Sequence, residues 1–449
     1  MRQKLLYLLP VIALFYCMQV SLYAQTTYTF SLSGALDHAM EHNYDLLSSL
    51  KDIEAAEKQV REYMAIGYPQ ISGSINYTDY LALPTMIMPA NSFFPGSPEQ
   101  EIQFGTKYNA SADISASQLI FDGRYILGVQ ASRQLLERNR QQFIKTKTDM
   151  VEAVSAAYFR ALVTENLRDI LDSTIVYMDN MLIETRHTWE AGFAEETDVD
   201  QLELIVSDLR ANLILTETQT GIAYAFLKFL CGVDAADDIV LTDRLGDMME
   251  EVNHSALVDE PFRFENNIDY RLLQTLYKIA ELQLKLQKSE YLPSLSAIIN
   301  YQTQAQRNTW NFLDPEKKWY GSSFWGVEMA IPLWSSGIRS SRVQQARIDL
   351  DKLELADRKL RTGLTIEVQT ARAEFHNAYL VMQNKSMAMN TAKKILRITS
   401  EKYRQGMATS LDLLQANNQF LSNTSDYILA MQEVMVKKLS LEKLLYSEE

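Results

Sequence analysis

The chain has 449 residues, 47% of them hydrophobic and 22% charged, enough apolar material for a large core and too much for a disordered chain. A formal charge of −14 and a sequence pI of ≈ 5.0 exclude nucleic acid as the main partner, because phosphate binding needs clustered Lys and Arg. The same balance argues against docking on an anionic lipid surface.

Residues 1–24 read as a secretory signal peptide. Arg2 and Lys4 precede an almost wholly apolar run from Leu5 to Val20, and SLYA (21–24) supplies a small residue at the cut, so cleavage is expected after Ala24. The run, about 16 residues, is short of the roughly 20 that span a bilayer. Leu14, Phe15 and Tyr16 are not the small residues that precede a lipidated cysteine, which disfavours lipidation of Cys17. Loss of Cys17 leaves Cys231 alone, so the mature chain has no intrachain disulfide.

The mature sequence is written twice. EHNYDLLSSLKDIEAAEKQVREYMAIGYPQIS (41–72) aligns without a gap on ENNIDYRLLQTLYKIAELQLKLQKSEYLPSLS (265–296), matching Asn43 with Asn267, Asp45 with Asp269, Pro69 with Pro293 and Ser72 with Ser296. LIFDGR (119–124) then echoes PLWSSG (332–337), and the shorter spacing between these copies places an insertion in the first half. The organisation is a first repeat over 25–233, an acidic inter-repeat, equatorial segment over 234–264, and a second repeat over 265–449.

Each repeat opens with a helical pattern that stops near its proline. A β-hairpin follows, over 69–121 and 293–333. ISGSINYTDY (71–80) sets Ile71, Gly73, Ile75 and Tyr77 against Ser72, Ser74, Asn76 and Thr78; LSAIINYQTQ (295–304) does the same. Period two with one apolar and one polar face predicts strands. The return strands are expected over 103–121 and 319–333. The first hairpin loop, 84–102, holds Pro84, Pro89, Pro95 and Pro98 and is expected to lack regular structure; the second, 306–318, is shorter. A long helical hairpin completes each repeat, over 124–230 and 338–447. Its first helices, 124–190 and 338–404, contain no proline and would each reach roughly 100 Å at 1.5 Å per residue. That length needs a coiled-coil or bundle partner. The segment 234–264 is helix-poor by pattern.

WEAGFAEETDVDQL (189–202) and YRQGMATSLDLLQA (403–416) share an aromatic residue, a glycine, an aspartate and a glutamine at equal spacings. They fall where each long helix turns back. Gly192 and Gly406 suit the left-handed residue that ends a helix, Thr409 can cap the next one, and Asp198 and Asp412 fall in first turns near the positive dipole end. Helix initiation therefore accounts for both aspartates, and it leaves room for a second role.

The order signal, helix, hairpin, helix pair with a G-x5-D-[VL] tip, then the same again, resembles the TolC family of outer membrane efflux proteins. The carriers are GFAEETDV (192–199), GMATSLDL (406–413), LIFDG (119–123) and PLWSSG (332–337), with Pro69 and Pro293 where the family begins each hairpin. Each motif is weak alone; two copies of all of them in register are specific, and the likeness covers the whole mature chain. It implies an α+β membrane protein: a homotrimer closing a 12-stranded β-barrel, four strands per protomer, continued by a long periplasmic α-helical barrel. It implies an outer membrane duct for a tripartite efflux or type I secretion system, with a periplasmic adaptor protein and an inner membrane transporter as partners, and no enzyme activity, metal or cofactor. Asp198, Asp412 and Tyr403 would form an acidic constriction at the tips. Trp189, Phe193, Arg404 and Met407 would lie on the adaptor contact. Tyr77, Tyr80, Tyr301, Trp319, Tyr320 and Trp325 would form aromatic girdles against outer membrane lipid. The chain departs from the family at Ala408, where a basic residue is frequent, and at Gln415, where a second acid is frequent, so the resemblance implies neither the relatives' closed-state bonding nor the strength of a cation-binding ring here.

Two other classes fit less well. His38 and His42 stand four apart, but HAMEH is not HExxH, and no nucleophile with a paired base is evident. A spacer or adhesin of coiled coils explains the long helices and leaves two lipid-compatible hairpins without a use.

Overall fold

The computed structural model describes residues 26–90, 94–96, 98–250 and 252–445, so the signal peptide expected at 1–24 lies outside the described residues. The chain folds as two compact units, one comprising 26–50, 142–270 and 360–445, the other 51–141 and 271–359.

The second unit is built on an antiparallel four-stranded sheet, with β2 (Gln70–Asp79), β5 (Tyr108–Phe121), β7 (Ser294–Arg307) and β8 (Tyr320–Ala330) in the order β2-β5-β7-β8. Each repeat contributes one hairpin, and the two hairpins join through β5 and β7. The first hairpin loop departs from expectation: β3 (Thr85–Met88) and β4 (Gln100–Gln103) pair there as an antiparallel ribbon. The physical reason is placement. Pro84 and Pro89 bracket β3 and Pro98 precedes β4, so the prolines end strands where they need not donate a ladder hydrogen bond.

The first unit holds a parallel pair of short strands, β1 (Thr27–Phe30) and β6 (Asp238–Leu241). The unit also holds α1 (Leu32–His42), α4 (Glu196–Cys231), α5 (Leu245–Glu250), α6 (His254–Asp259) and α9 (Ser410–Leu445). The remaining helices are α2 (Tyr44–Ala65), α3 (Gly123–Glu190), α7 (Ile268–Ser289) and α8 (Ile338–Arg404). Helices α3 and α8 run unbroken for 68 and 67 residues. The inter-repeat segment is thus richer in structure than its pattern predicts. Its strand β6 finds β1 across most of the first repeat, a long-range pairing that no local periodicity encodes.

The repeat is visible in hydrogen bonds. Asn43 accepts from the backbone N–H groups of Asp45 and Leu46 (3.0 and 3.1 Å), and Asn267 accepts from those of Asp269 and Tyr270 (3.1 and 3.3 Å). Both asparagines satisfy the free donors that open a helix, at about 1 kcal/mol each. The first unit has three buried clusters. One packs α1, α3 and α4 through Ala35, Val154, Tyr158 and Leu227. A second joins α3, α8 and α9 through Val163, Phe375, Met431 and Val434. The third, with Met178, Met181, Leu202, Leu209 and Leu413, binds the four helix ends that carry the repeated turns. Each fully buried side chain of this size is worth roughly 1.5–3 kcal/mol. Cys231 is buried in the first cluster, and desolvation pushes its thiol up to about 12, so it packs as an inert apolar group.

Candidate functional site

The two repeated turns close identically. Helix α3 ends with Gly192 N–H donating to Trp189 C=O (2.8 Å) and Phe193 N–H to Thr188 C=O (2.9 Å). Helix α8 ends with Gly406 N–H on Tyr403 C=O (2.9 Å) and Met407 N–H on Lys402 C=O (2.8 Å). This is the Schellman pattern, and the glycines adopt the left-handed φ it requires, 82° and 69°. Phe193 and Met407 hold the same place after the glycine, and both point outward, Phe193 with 86% of its surface exposed. Trp189, one turn earlier, is also exposed.

The helices that start after these turns differ. Thr409 precedes α9 and forms a reciprocal cap: its hydroxyl accepts from Asp412 N–H (3.2 Å), while the Asp412 carboxylate accepts from Thr409 N–H (2.9 Å) and from the hydroxyl (2.8 Å). These hydrogen bonds, with a smaller contribution from Lys402, hold the Asp412 carboxyl below its usual range. In the first repeat Glu195 stands where Thr409 would, and it caps α4 without a side-chain bond. Thr197 turns its hydroxyl to the Glu195 carboxylate (3.2 Å). Asp198 therefore occupies the same position as Asp412 with a carboxylate that is not engaged in a cap.

Asp198 instead lines a cleft of ≈ 730 Å³ between the two turns, with Glu184, Thr185, Phe193, Tyr403, Arg404 and Thr409. Tyr403 is half-buried, and its hydroxyl lies 3.1 Å from that of Thr185. Burial raises its pKa, the Thr185 bond opposes this, and the Asp198 charge adds to the rise. Arg404 pairs with Glu184 (3.4 Å), and Ser410 donates to Gln201 across the repeats. The structure thus brings Tyr403 and Asp198 together, while Asp412 sits outside the cleft lining.

In the sheet, the cross-strand register sorts the side chains. One face carries Ile71, Gly73, Ile75 and Tyr77 of β2, Ala110, Ala112, Ile114 and Ala116 of β5, Leu295, Ala297, Ile299 and Tyr301 of β7, and Trp325, Val327 and Met329 of β8. The other carries Ser72, Ser74, Asn76 and Thr78, then Asn109, Ser111, Asp113 and Ser115, then Ser296, Asn300, Gln302 and Gln304. The apolar face is largely exposed, as at Ile75, Ile299 and Trp325. Strands β2 and β8 are edges, with no partner strand among the described residues.

Of the expected girdle residues, Tyr77, Tyr301 and Trp325 lie on the apolar face. Tyr320 is instead in register with Gln304, on the polar face, because it is an odd number of residues from Trp325. Tyr80 and Trp319 fall one residue outside their strands. Trp319 donates its indole N–H to Phe312 C=O (3.4 Å), and Phe312 stands edge-on to Tyr77 at 5.9 Å. Phe312 and Phe324 are not among the aromatic residues that the sequence pattern marks. The parity of β8 would have placed Phe324 on the polar face with Tyr320; nothing local marks Phe312.

His38 and His42 stack at 4.1 Å, and each has one ring nitrogen on a backbone carbonyl, of Cys231 and of His38 respectively. Among the described residues no helix is long and apolar enough to cross a membrane, which says nothing of a β-barrel.

The chain is 22% identical to outer membrane protein TolC of Vibrio cholerae over 90% of its own length and 89% of that protein. It is 22% identical to outer membrane efflux protein BepC of Brucella suis, covering 93% and 85%. Its fold matches the crystal structure of CusC with a TM-score of 0.72 at 16% identity, covering 95% of this chain and 96% of that one. The outer membrane efflux protein profile matches it in two successive segments, 35–233 and 266–445. Spanned by both copies of that profile, the chain belongs to the outer membrane efflux protein family.

Proposed function

We propose that the protein is the outer membrane exit duct of a tripartite efflux or type I secretion system, conducting solutes passively and performing no chemistry. The observation that carries this reading is the amphipathic four-stranded sheet with two unpaired edges. In hydrocarbon each unsatisfied backbone group costs several kcal/mol, so two open edges of 10 and 11 residues are untenable there. Four strands are too few to close a barrel. Three copies supply twelve, and since every neighbouring pair is antiparallel, β8 of one copy meets β2 of the next in the antiparallel sense as well. The apolar face then contacts lipid and the polar face lines water.

The family assigns such a duct pump partners, and we assign them to the turns. Phe193 and Met407, exposed at equivalent places, are candidate anchors for a periplasmic adaptor, with Trp189 and Arg404 beside them. An inner membrane transporter supplies the energy. Asp198 and Tyr403, in three copies, are the candidate constriction; Asp412 serves it indirectly by fixing the start of α9.

The test is the mass of the detergent-extracted protein from outer membranes, by light scattering corrected for detergent. A trimer that needs detergent is the expected result. A monomer stable without detergent overturns the reading.

A further inference from the structure

Two large aromatic side chains interrupt the polar face of the sheet. Phe324 is in register with Asn300 and Tyr320 with Gln304. Both are well exposed, at 61% and 65%, on a wall otherwise dominated by Ser, Asn, Gln and Thr. An exposed phenyl ring gains nothing from water, and Ser322 between them shows that β8 accepts a small polar residue on this face.

The charges on the same face have one sign. Among the paired strand residues it carries Asp113 and Glu328 and no Lys or Arg. Asp113 accepts from Ser74 and from Asn300 Nδ2 (3.4 Å), so its carboxylate is held in place along the wall. By register Asp113 stands opposite Gln302, which stands opposite Ser322. It is therefore level with the midpoint between the two rings and two strands away, about 10 Å. Rings offer a face to cations and to apolar groups, and the carboxylate adds attraction for positive charge.

We infer that Tyr320, Phe324 and Asp113 form a contact station in the channel wall for organic cations that carry aromatic or apolar groups. This rests on the duct reading above, which turns the polar face to the lumen and brings three copies around it. Purely hydrophilic cations meet only the carboxylates there, and aromatic anions meet rings with opposing charge. Asp113 and Phe324 are binding residues; Asn300, through its bond to Asp113, is a positioning residue.

The experiment is single-channel recording of the reconstituted full chain in planar bilayers in KCl. Tetraphenylphosphonium, tetramethylammonium and benzenesulfonate are added separately. Tetraphenylphosphonium is expected to interrupt the current at a concentration about tenfold below the other two. Phe324→Ser and Asp113→Asn should each raise that concentration about fivefold, a cation–ring or exposed charge contribution. Val327→Ala, on the opposite face, should leave it as in wild type. Should Phe324→Ser fail to assemble, Phe324→Leu keeps the bulk, removes the ring and should still weaken the block. Equal block by all three probes, or block insensitive to both Phe324 variants and to Asp113→Asn, overturns the inference while leaving the duct intact. A wild-type trimer with no KCl conductance overturns the duct reading and this one with it.

Discussion

Adjacent residues of β7 give the sharpest test of which sheet face meets lipid. Ile299 lies on the apolar face opposite Ala116 and Trp325, 62% exposed in one copy. Asn300, the next residue, lies on the polar face opposite Ser115 and Phe324 and donates to Asp113. Lysine near the bilayer midplane on the lipid face costs about 2–4 kcal/mol, whereas a lumen-facing lysine stays hydrated and alters selectivity instead. For Ile299→Lys the penalty falls in the middle of a 14-residue central strand, where the ammonium cannot easily reach an interface. Three copies per barrel bring the cost to about 6–12 kcal/mol. Asn300→Lys loses one hydrogen bond, about 1 kcal/mol, and gains attraction to Asp113. In urea titration of protein refolded into vesicles, followed by Trp fluorescence, Ile299→Lys should lower the midpoint strongly or prevent folding. Asn300→Lys should stay near wild type. Comparable loss in both, or greater loss in Asn300→Lys, would refute the assignment of faces.

The turns give two further tests. Thr409→Ala removes the cap of α9 and should cost about 1 kcal/mol, read as faster amide exchange in the first turn of α9. Because the Asp412 carboxyl is held below its usual range, its contribution is present above about pH 4 and is lost as pH falls through the lowered value. Protection there, taken relative to intrinsic exchange at each pH, should therefore fall in acid in wild type and much less so in Thr409→Ala. Gly406→Ala and Gly192→Ala place a Cβ at φ 69° and 82°, where left-handed backbone costs an L-residue about 1–2 kcal/mol. Both should lower the thermal midpoint, whereas Gly363→Ala, inside α8 with open space at its Cβ, should not.

What could be read in the sequence is what short-range physics writes there. The glycines at 192 and 406, the asparagines at 43 and 267 and the alternation in β2 and β7 act within a few residues, so pattern suffices to find them. The β1–β6 pair could not be read, because its strands are separated by almost the whole first repeat and neither has a period long enough to mark it. The β3–β4 ribbon is hidden for the opposite reason: four prolines in one loop suggest irregular backbone, yet here they only bound the strands. Residue type alone does not say which face an aromatic side chain takes; in a sheet parity decides it, and Tyr320 and Phe324 share the parity of Ser322. The two aspartates show how far a matched motif carries. Asp198 and Asp412 align in every respect that spacing can measure, yet the residue three positions earlier, Glu195 or Thr409, leaves one carboxylate open to the cleft beside Tyr403 and commits the other to a cap. Equivalent positions in a duplicated fold are equivalent for the backbone first. Their chemistry is set by the neighbour that takes or leaves the hydrogen bond, so the first repeat supplies the more available acid and the second the capped helix start.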